Sequence, residues 1–371
     1  MFAAVQDNVS SMDDTRFDQR GIHKGRGAVT NASGRFDSQQ HESFDDGWDS
    51  AVEVERPRTE VQADSSRSIM VFNESPDLPF DRSVNPYRGC EHGCIYCFAR
   101  PTHAYLGLSP GMDFETRIFS KPNAASLLDE ALRKPGYQCQ PLALGVNTDA
   151  YQPAERKLQI TRSLLGVLQQ FSHPVSIITK SALIERDIDI LRNMAEKELV
   201  SVYLSVTTLD TTLARKLEPR AAAPRRRLQT IRRLADAGIP VAVLLAPVIP
   251  VLTDPEMDSI LAAVKDAGAT SAGFILLRLP LEVSELFQQW LIAHYPLKAE
   301  HVMKRVRDTR AGKDYDSRFG SRLRGTGAYA EVIARRFQLA CQRLELKPRE
   351  YRLNCNAFRV PARRGDQLDL F

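Results

Sequence analysis

The 371-residue chain has no uninterrupted apolar run of about 18 residues, the length a membrane-spanning helix needs. No membrane span is therefore expected. The first residues are polar and acidic and hold no apolar stretch of the secretory type, so a cytoplasmic, reducing setting is expected. No solenoid period repeats along the chain. Cysteine is scarce, with six in all. Three of these fall within eight residues and cannot all pair, which argues against a disulfide framework. The two separated ligand couples that most structural zinc sites use are missing as well.

What is present is enough for a large core, because hydrophobic residues make up 43% of the chain. The length suits one large α/β domain with extensions, or two smaller domains. The net charge of +4 is unevenly spread. Residues 1–66 hold 7 Lys/Arg and 13 Asp/Glu, whereas the remainder holds 43 and 33. A basic body fits a polyanionic partner such as a nucleic acid, although arginines on solvated helix faces account for the charge equally well. Residues 1–66 are rich in Asp, Ser, Gly, Gln and Arg and keep no helical or strand period. They are expected to form a disordered acidic tail.

From residue 67 to 280 the pattern alternates. Short apolar stretches at 83–87, 142–146, 175–179, 200–205, 241–246 and 272–277 read as strands. Helical periodicity falls between them at 155–170, 183–196, 225–237 and 254–267. Earlier, 101–108 and 123–134 read as helices and 114–119 as strand-like. Continuous apolar strands are those of a parallel sheet covered on both faces. Repeated βα units imply right-handed crossovers. Periodicity alone leaves an incomplete barrel and an open doubly wound sheet both possible. Residues 281–371 read as a helical extension, at 283–291, 297–310 and 329–344, followed by an irregular tail.

One stretch stands apart, Asn85-Pro-Tyr-Arg-Gly-Cys90-Glu-His-Gly-Cys94-Ile-Tyr-Cys97-Phe-Ala-Arg100. Its cysteines are spaced Cys-x3-Cys-x2-Cys, and Gly89 and Gly93 each precede one of them. Glycine permits the tight curl that lets three thiolates converge. Soft thiolates suit iron and sulfide, and three ligands on a cubane leave one iron open. A zinc site completed by His92 or His103 is the other chemistry this stretch allows.

The stretch resembles the cluster loop of the radical S-adenosylmethionine (SAM) superfamily, with Tyr96 at the aromatic place before the third cysteine. The wider pattern, from about residue 73 onward, resembles the spore photoproduct lyase-like branch, often labelled DNA repair photolyase-like. The resemblance implies an incomplete (β/α)6 TIM-type barrel. It implies a 4Fe-4S cluster on Cys90, Cys94 and Cys97, with SAM on the open iron. It also implies reductive cleavage of SAM to a 5′-deoxyadenosyl radical that takes a hydrogen atom from the substrate, with an electron donor such as flavodoxin or ferredoxin.

In such barrels the working face lies at the C-terminal strand ends. By resemblance, Thr148 and Asp149 stand where the methionyl amino group is held. Lys180 stands where the SAM carboxylate is paired, and Ser205 where the ribose or methionine moiety is touched. Tyr96 is taken as a further cofactor contact. Thr148 or Asp149 as a helix cap, and Lys180 as a solvated helix start, are the plainer alternatives. Glu218 and Arg227 are expected to pair or touch the cofactor, and the 241–246 strand edge to pack on adenine. His103 and Tyr105 are candidates for the substrate opening.

The lyase carries a hydrogen-donating cysteine after its second strand, where this chain has Asn147. Cys139, Cys341 and Cys355 do not obviously replace it. Photoproduct cleavage is therefore not expected, and the substrate stays open, with nucleic acid as one class. A nucleic-acid-binding protein with a structural or redox-sensing cluster is the alternative. Extensions holding auxiliary clusters are missing, which argues against peptide-modifying types.

Overall fold

A computed structural model describes residues 23, 25–36, 58–348 and 353–362. Its main sheet contains β2 (Met70–Phe72), β3 (Arg82–Val84), β6 (Leu142–Leu144), β7 (Val175–Thr179), β8 (Val200–Ser205), β9 (Val241–Val248), β10 (Ser271–Leu276) and β11 (Lys347–Pro348). A smaller sheet joins β1 (Glu60–Ala63), β4 (Tyr87–Arg88) and β5 (Arg117–Ser120).

The main sheet runs β11-β10-β9-β8-β7-β6-β3-β2. Its six central strands are mutually parallel and follow strict chain order. A doubly wound sheet reverses its strand order at a switch point. No reversal occurs here, so the ambiguity left by periodicity resolves to the incomplete barrel. Antiparallel β2 and the two-residue β11 end the sheet at its two edges.

The strands are apolar on both faces for a physical reason. Ile177, Val202, Leu204 and Val243 join the large layer of helices outside, while Tyr203, Ala242 and Leu244 form a small inner cluster. Burial of this kind stabilises by roughly 25 cal/mol per Å² of apolar surface. Helices Glu282–His294 and Pro296–Asp308 carry Phe287, Trp290 and Val302 into a second cluster that includes Ile95 and Tyr96. The C-terminal helices therefore brace the back of the cysteine stretch.

Several elements depart from expectation. The 83–87 strand breaks into β3 and β4 at Asn85-Pro86, since proline offers no ladder N–H. The 155–170 helix divides at Gln159, which adopts φ 53°. Residues 114–119 are half helix (Asp113–Thr116) and half strand. Two pieces of the 1–66 segment belong to the body, against the expectation of a free tail. β1 pairs with β5, and residues 26–28 dock on Glu115. The rest of that segment, apart from a few short pieces, lies outside the described residues. The end of the chain is also tied down: Asn354 N–H donates to the Glu198 carbonyl (3.0 Å), and Arg359 N–H to that of Phe171 (3.0 Å). Among the described residues no helix is long and apolar enough to cross a membrane.

Candidate active site

The cysteine stretch leaves β4 and curls over the C-terminal ends of the barrel strands. Gly89 and Gly93 adopt φ 75° and 65°, the left-handed region that favours glycine. Space is short as well. A Cβ at Gly93 would sit 2.6 Å from Glu115 Oε2, and one at Gly89 would sit 2.9 Å from His103 Cε1.

Buried polar groups hold the curl in place. Arg100, fully buried, donates to the Cys94 carbonyl (2.9 Å) and pairs with Glu115 (2.5 Å). Glu115 in turn accepts from the Gly27 and Ala28 N–H groups at 2.9 and 2.8 Å. Gln152 brackets the loop, accepting from Glu91 N–H and donating to the Gly89 carbonyl. Cys90 N–H donates to the Phe114 carbonyl at 2.9 Å.

Cys90, Cys94 and Cys97 line one cavity of about 200 Å³, open at its mouth. Its floor and walls are strand ends: Gly145 to Asp149 after β6, Ile178 to Lys180 at the end of β7, Ser205 at the end of β8, Leu244, Ala246 and Pro247 on β9, and Ile275, Leu276 and Arg278 on and after β10. Parallel strands of one sheet all point the same way, so their C-terminal residues meet.

The donor set fits an iron–sulfur cluster. Burial pushes the Cys94 thiol up to about 12 and raises that of Cys90, where nearby Asp149 adds to the effect. Thiolates in such a place need a bound cation, and a metal supplies it. Among the described residues no group of three or more His, Cys, Asp or Glu side chains is drawn together around the place of a single ion. Each histidine has one ring nitrogen engaged elsewhere, and His103 Nδ1 is buried without a partner among the described residues. His92 Nδ1 lies 3.3 Å from Asp149 Oδ2, and His103 Nε2 lies 2.9 Å from the Arg117 carbonyl.

The sequence-predicted residues gather here with differing roles. Thr148 lines the cavity, but its hydroxyl donates to the Tyr87 carbonyl at 2.9 Å. Asp149 accepts from Thr179 Oγ1 and Lys180 N–H, both at 2.7 Å, and ties the β6 loop to β7 and to His92. Burial opposes its charge, yet His92 and these donors bring its carboxyl down to about 2. Lys180 forms no ion pair with any described residue, and its ammonium lies 5.9 Å from the centre of the Tyr96 ring. Burial works against its charge, but Cys94 and Glu218 outweigh it and raise its pKa. Ser205 lines the cavity, and its carbonyl accepts from Arg227 at 3.0 Å.

Tyr96 is anchored from beneath. Its hydroxyl donates to Glu218, which also accepts from Thr207 Oγ1 (2.7 Å) and from Arg227 Nη2. Glu218 and Arg227 thus form the expected pair, buried at 3% and 2% exposure. Glu218 touches Tyr96 and Arg227 touches the Ser205 carbonyl, and neither side chain lines the cavity. Tyr105 is 70% exposed and packs at a tilt against Phe36, away from the opening, and His103 is wholly buried. Asn147 lines the cavity, and among the described residues Cys139, Cys341 and Cys355 do not. Leu244, Ala246 and Pro247 form the apolar β9 edge expected beside adenine.

Sequence reasoning missed Asn85, whose Oδ1 accepts from the Asn147 N–H (2.9 Å), and the Arg100–Glu115 node. It also missed Arg278, although the strand-end rule that marked Lys180 applies to it equally.

Residues 84–264 match the model of the radical SAM superfamily. An uncharacterized protein of Mycobacterium tuberculosis is 40% identical over 221 residues, 59% of this chain and 65% of that protein. The aligned region therefore spans less than two thirds of that relative. Two structures share the fold. Spore photoproduct lyase complexed with dinucleoside spore photoproduct is 14% identical, with a TM-score of 0.56 over 78% of this chain and 81% of that one. A variant of the same lyase with bound AdoMet and dinucleoside spore photoproduct is 13% identical, with a TM-score of 0.55 over 78% and 80%.

Proposed function

From the match of residues 84–264 to the radical SAM superfamily we propose that the chain is an enzyme that cleaves SAM reductively and uses the resulting radical on a further substrate. The observation that carries this reading is one cavity shared by three thiols, two of them buried, and by Lys180, a cation with no carboxylate partner among the described residues.

Cys90, Cys94 and Cys97 would hold a 4Fe-4S cluster. With SAM bound, that cluster supplies one-electron cleavage to a 5′-deoxyadenosyl radical. The protein's own contributions can be derived from the geometry. Lys180 offers its ammonium to the SAM carboxylate, a match that removes the cost of leaving a half-buried charge unpaired. Thr148 and Ser205 border the same space. Asp149 fixes the two strand ends relative to each other and keeps Lys180 in place through its backbone N–H. The apolar β9 edge, with Leu244 and Pro247, excludes water and offers a flat surface to adenine. Tyr96, locked by Glu218, supports the cluster loop from below.

Asn147 lines the cavity where the resembled lyase has its hydrogen-donating cysteine. An amide does not readily return a hydrogen atom, so a reaction other than thiol-assisted photoproduct cleavage is favoured. An electron donor such as flavodoxin or ferredoxin completes the system.

The test is anaerobic reconstitution, chemical reduction and quantification of 5′-deoxyadenosine, alone and with DNA, RNA or cell extract. Production by the wild type and loss in Cys94→Ala are expected. An iron-loaded, reduced wild type that forms none would overturn the proposal.

A further inference from the structure

Residues 25–36 form a strap held against the cysteine stretch at Gly93, one of its two left-handed turns. Gly27 meets the loop with no room for a side chain, since a Cβ there would sit 1.8 Å from the Gly93 carbonyl oxygen. Ala28 joins the apolar cluster that contains Cys94, Ile95 and Tyr96. Between strap and loop stands the fully buried Glu115. Its carboxylate accepts from the Gly27 and Ala28 N–H groups and from Arg100, which also donates to the Cys94 carbonyl. Arg26 donates to the Glu115 carbonyl (2.9 Å). One buried carboxylate is therefore shared by the strap and by the loop that carries the three cysteines.

The rest of the strap is tied elsewhere. Thr30 Oγ1 donates to Gln289 (2.7 Å), and Asn31 exchanges two hydrogen bonds with Asp113 (3.1 and 2.9 Å). Arg35 pairs with Glu282 (2.7 Å). Water competes for these outer ties, so each is weak. The inner contacts are different. If the Gly93 carbonyl moves, Gly27 loses its seat. If the strap leaves, Glu115 loses two donors while the body still buries it.

We propose that residues 25–36 are a clamp whose docking and cluster loading reinforce each other, with Glu115 as the positioning residue that couples them. This rests on the reading of Cys90, Cys94 and Cys97 as cluster ligands. Ligation fixes Gly93 and Cys94 in the curl that seats Gly27. Seated Gly27 and Ala28 in turn hold Glu115, and through it Arg100, where they maintain that curl. The coupling is reciprocal, so losing the cluster loosens the strap and a loosened strap speeds loss of the cluster.

The test is hydrogen–deuterium exchange by mass spectrometry on the full anaerobic chain, before and after reconstitution with iron and sulfide. Amides of residues 25–36 should exchange about tenfold more slowly in the loaded protein, Gly27 and Ala28 most of all. Gly27→Val should release iron to a chelator about tenfold faster, as expected when buried hydrogen bonds to a charged acceptor are lost. It should also alter the EPR line shape of the reduced cluster. The double variant Asn31→Ala/Arg35→Gln changes only outer ties, and it should speed iron release by roughly threefold through the strap alone. Equal exchange in loaded and unloaded wild type would overturn the proposal. So would wild-type iron release in the double variant, which stays decisive if Gly27→Val does not fold. A wild-type line shape in Gly27→Val would likewise deny the strap any hold on the ligands. A wild type that takes up no iron would overturn the cluster reading and the clamp together. A loaded wild type that protects the strap but cleaves no SAM would overturn the enzyme reading and leave the clamp standing.

Discussion

Replacing Glu218 by Gln should cost far more than its small change in shape suggests. Glu218 and Arg227 are each about 2–3% exposed, and the carboxylate is the ionic partner of that guanidinium. Gln keeps the volume, so no cavity opens. What changes is that Arg227 becomes a buried charge facing a neutral amide. Breaking a buried pair in this way costs roughly 3–5 kcal/mol. Against a typical total of roughly 5–15 kcal/mol, the loss is severe. Thr207 and Tyr96 also lose a charged acceptor, so the ring beneath the cluster loop should loosen and iron loading should fall. Tyr96→Phe removes one donor only and should cost about 1–2 kcal/mol. The double variant Glu218→Gln/Arg227→Met removes both charges and should recover most of the loss. The assay is urea unfolding under anaerobic conditions, with iron content measured in parallel. A loss below about 1 kcal/mol for Glu218→Gln, or no recovery in the double variant, would refute this account of how Tyr96 is held.

Further outcomes follow from other parts of the fold. Burial lowers His173 from 6.5 to about 4, while its ring meets Tyr137 and the Pro174 carbonyl. Its neutral form is therefore the folded one. Its contribution should be complete above pH 6.5 and lost as pH falls toward 4, by at most about 3 kcal/mol. A stability profile that stays flat across that window would contradict it. Gly93→Ala imposes a left-handed alanine against the fixed Glu115 carboxylate, and it should lower both stability and iron content. Normal iron loading would show that the loop has slack. Phe358 joins Tyr137, Phe171 and His173 in one aromatic group. Phe358→Ala should destabilise by about 2 kcal/mol in thermal unfolding, and no change would mean that the chain end packs without holding.

The meeting of Cys90, Cys94 and Cys97 at one cavity was legible because spacing along the chain and two glycines nearly determine the loop. The barrel was legible in part. The apolar strand runs revealed a parallel sheet, but only the strand order separated a barrel from a doubly wound sheet. Lys180 and Ser205 reached the cavity because residues at the C-terminal ends of parallel strands share one face. Thr148 shares that face too, but its hydroxyl is spent on the Tyr87 carbonyl, a local choice that sequence does not display. The docking of residues 26–28 rests largely on backbone N–H groups meeting Glu115, and backbone donors leave no trace in residue identity. The pairing of Glu218 with Arg227 was legible, whereas the grip of Glu218 on Tyr96 needed the fold.

The central claim is that three thiolates hold a cluster with one iron free for SAM. Mössbauer spectroscopy of anaerobically iron-loaded protein, recorded with and without SAM, tests it most directly. The account predicts a single distinct iron site whose signal shifts when SAM is added. A spectrum without such a site, or one that SAM leaves unchanged, would contradict it.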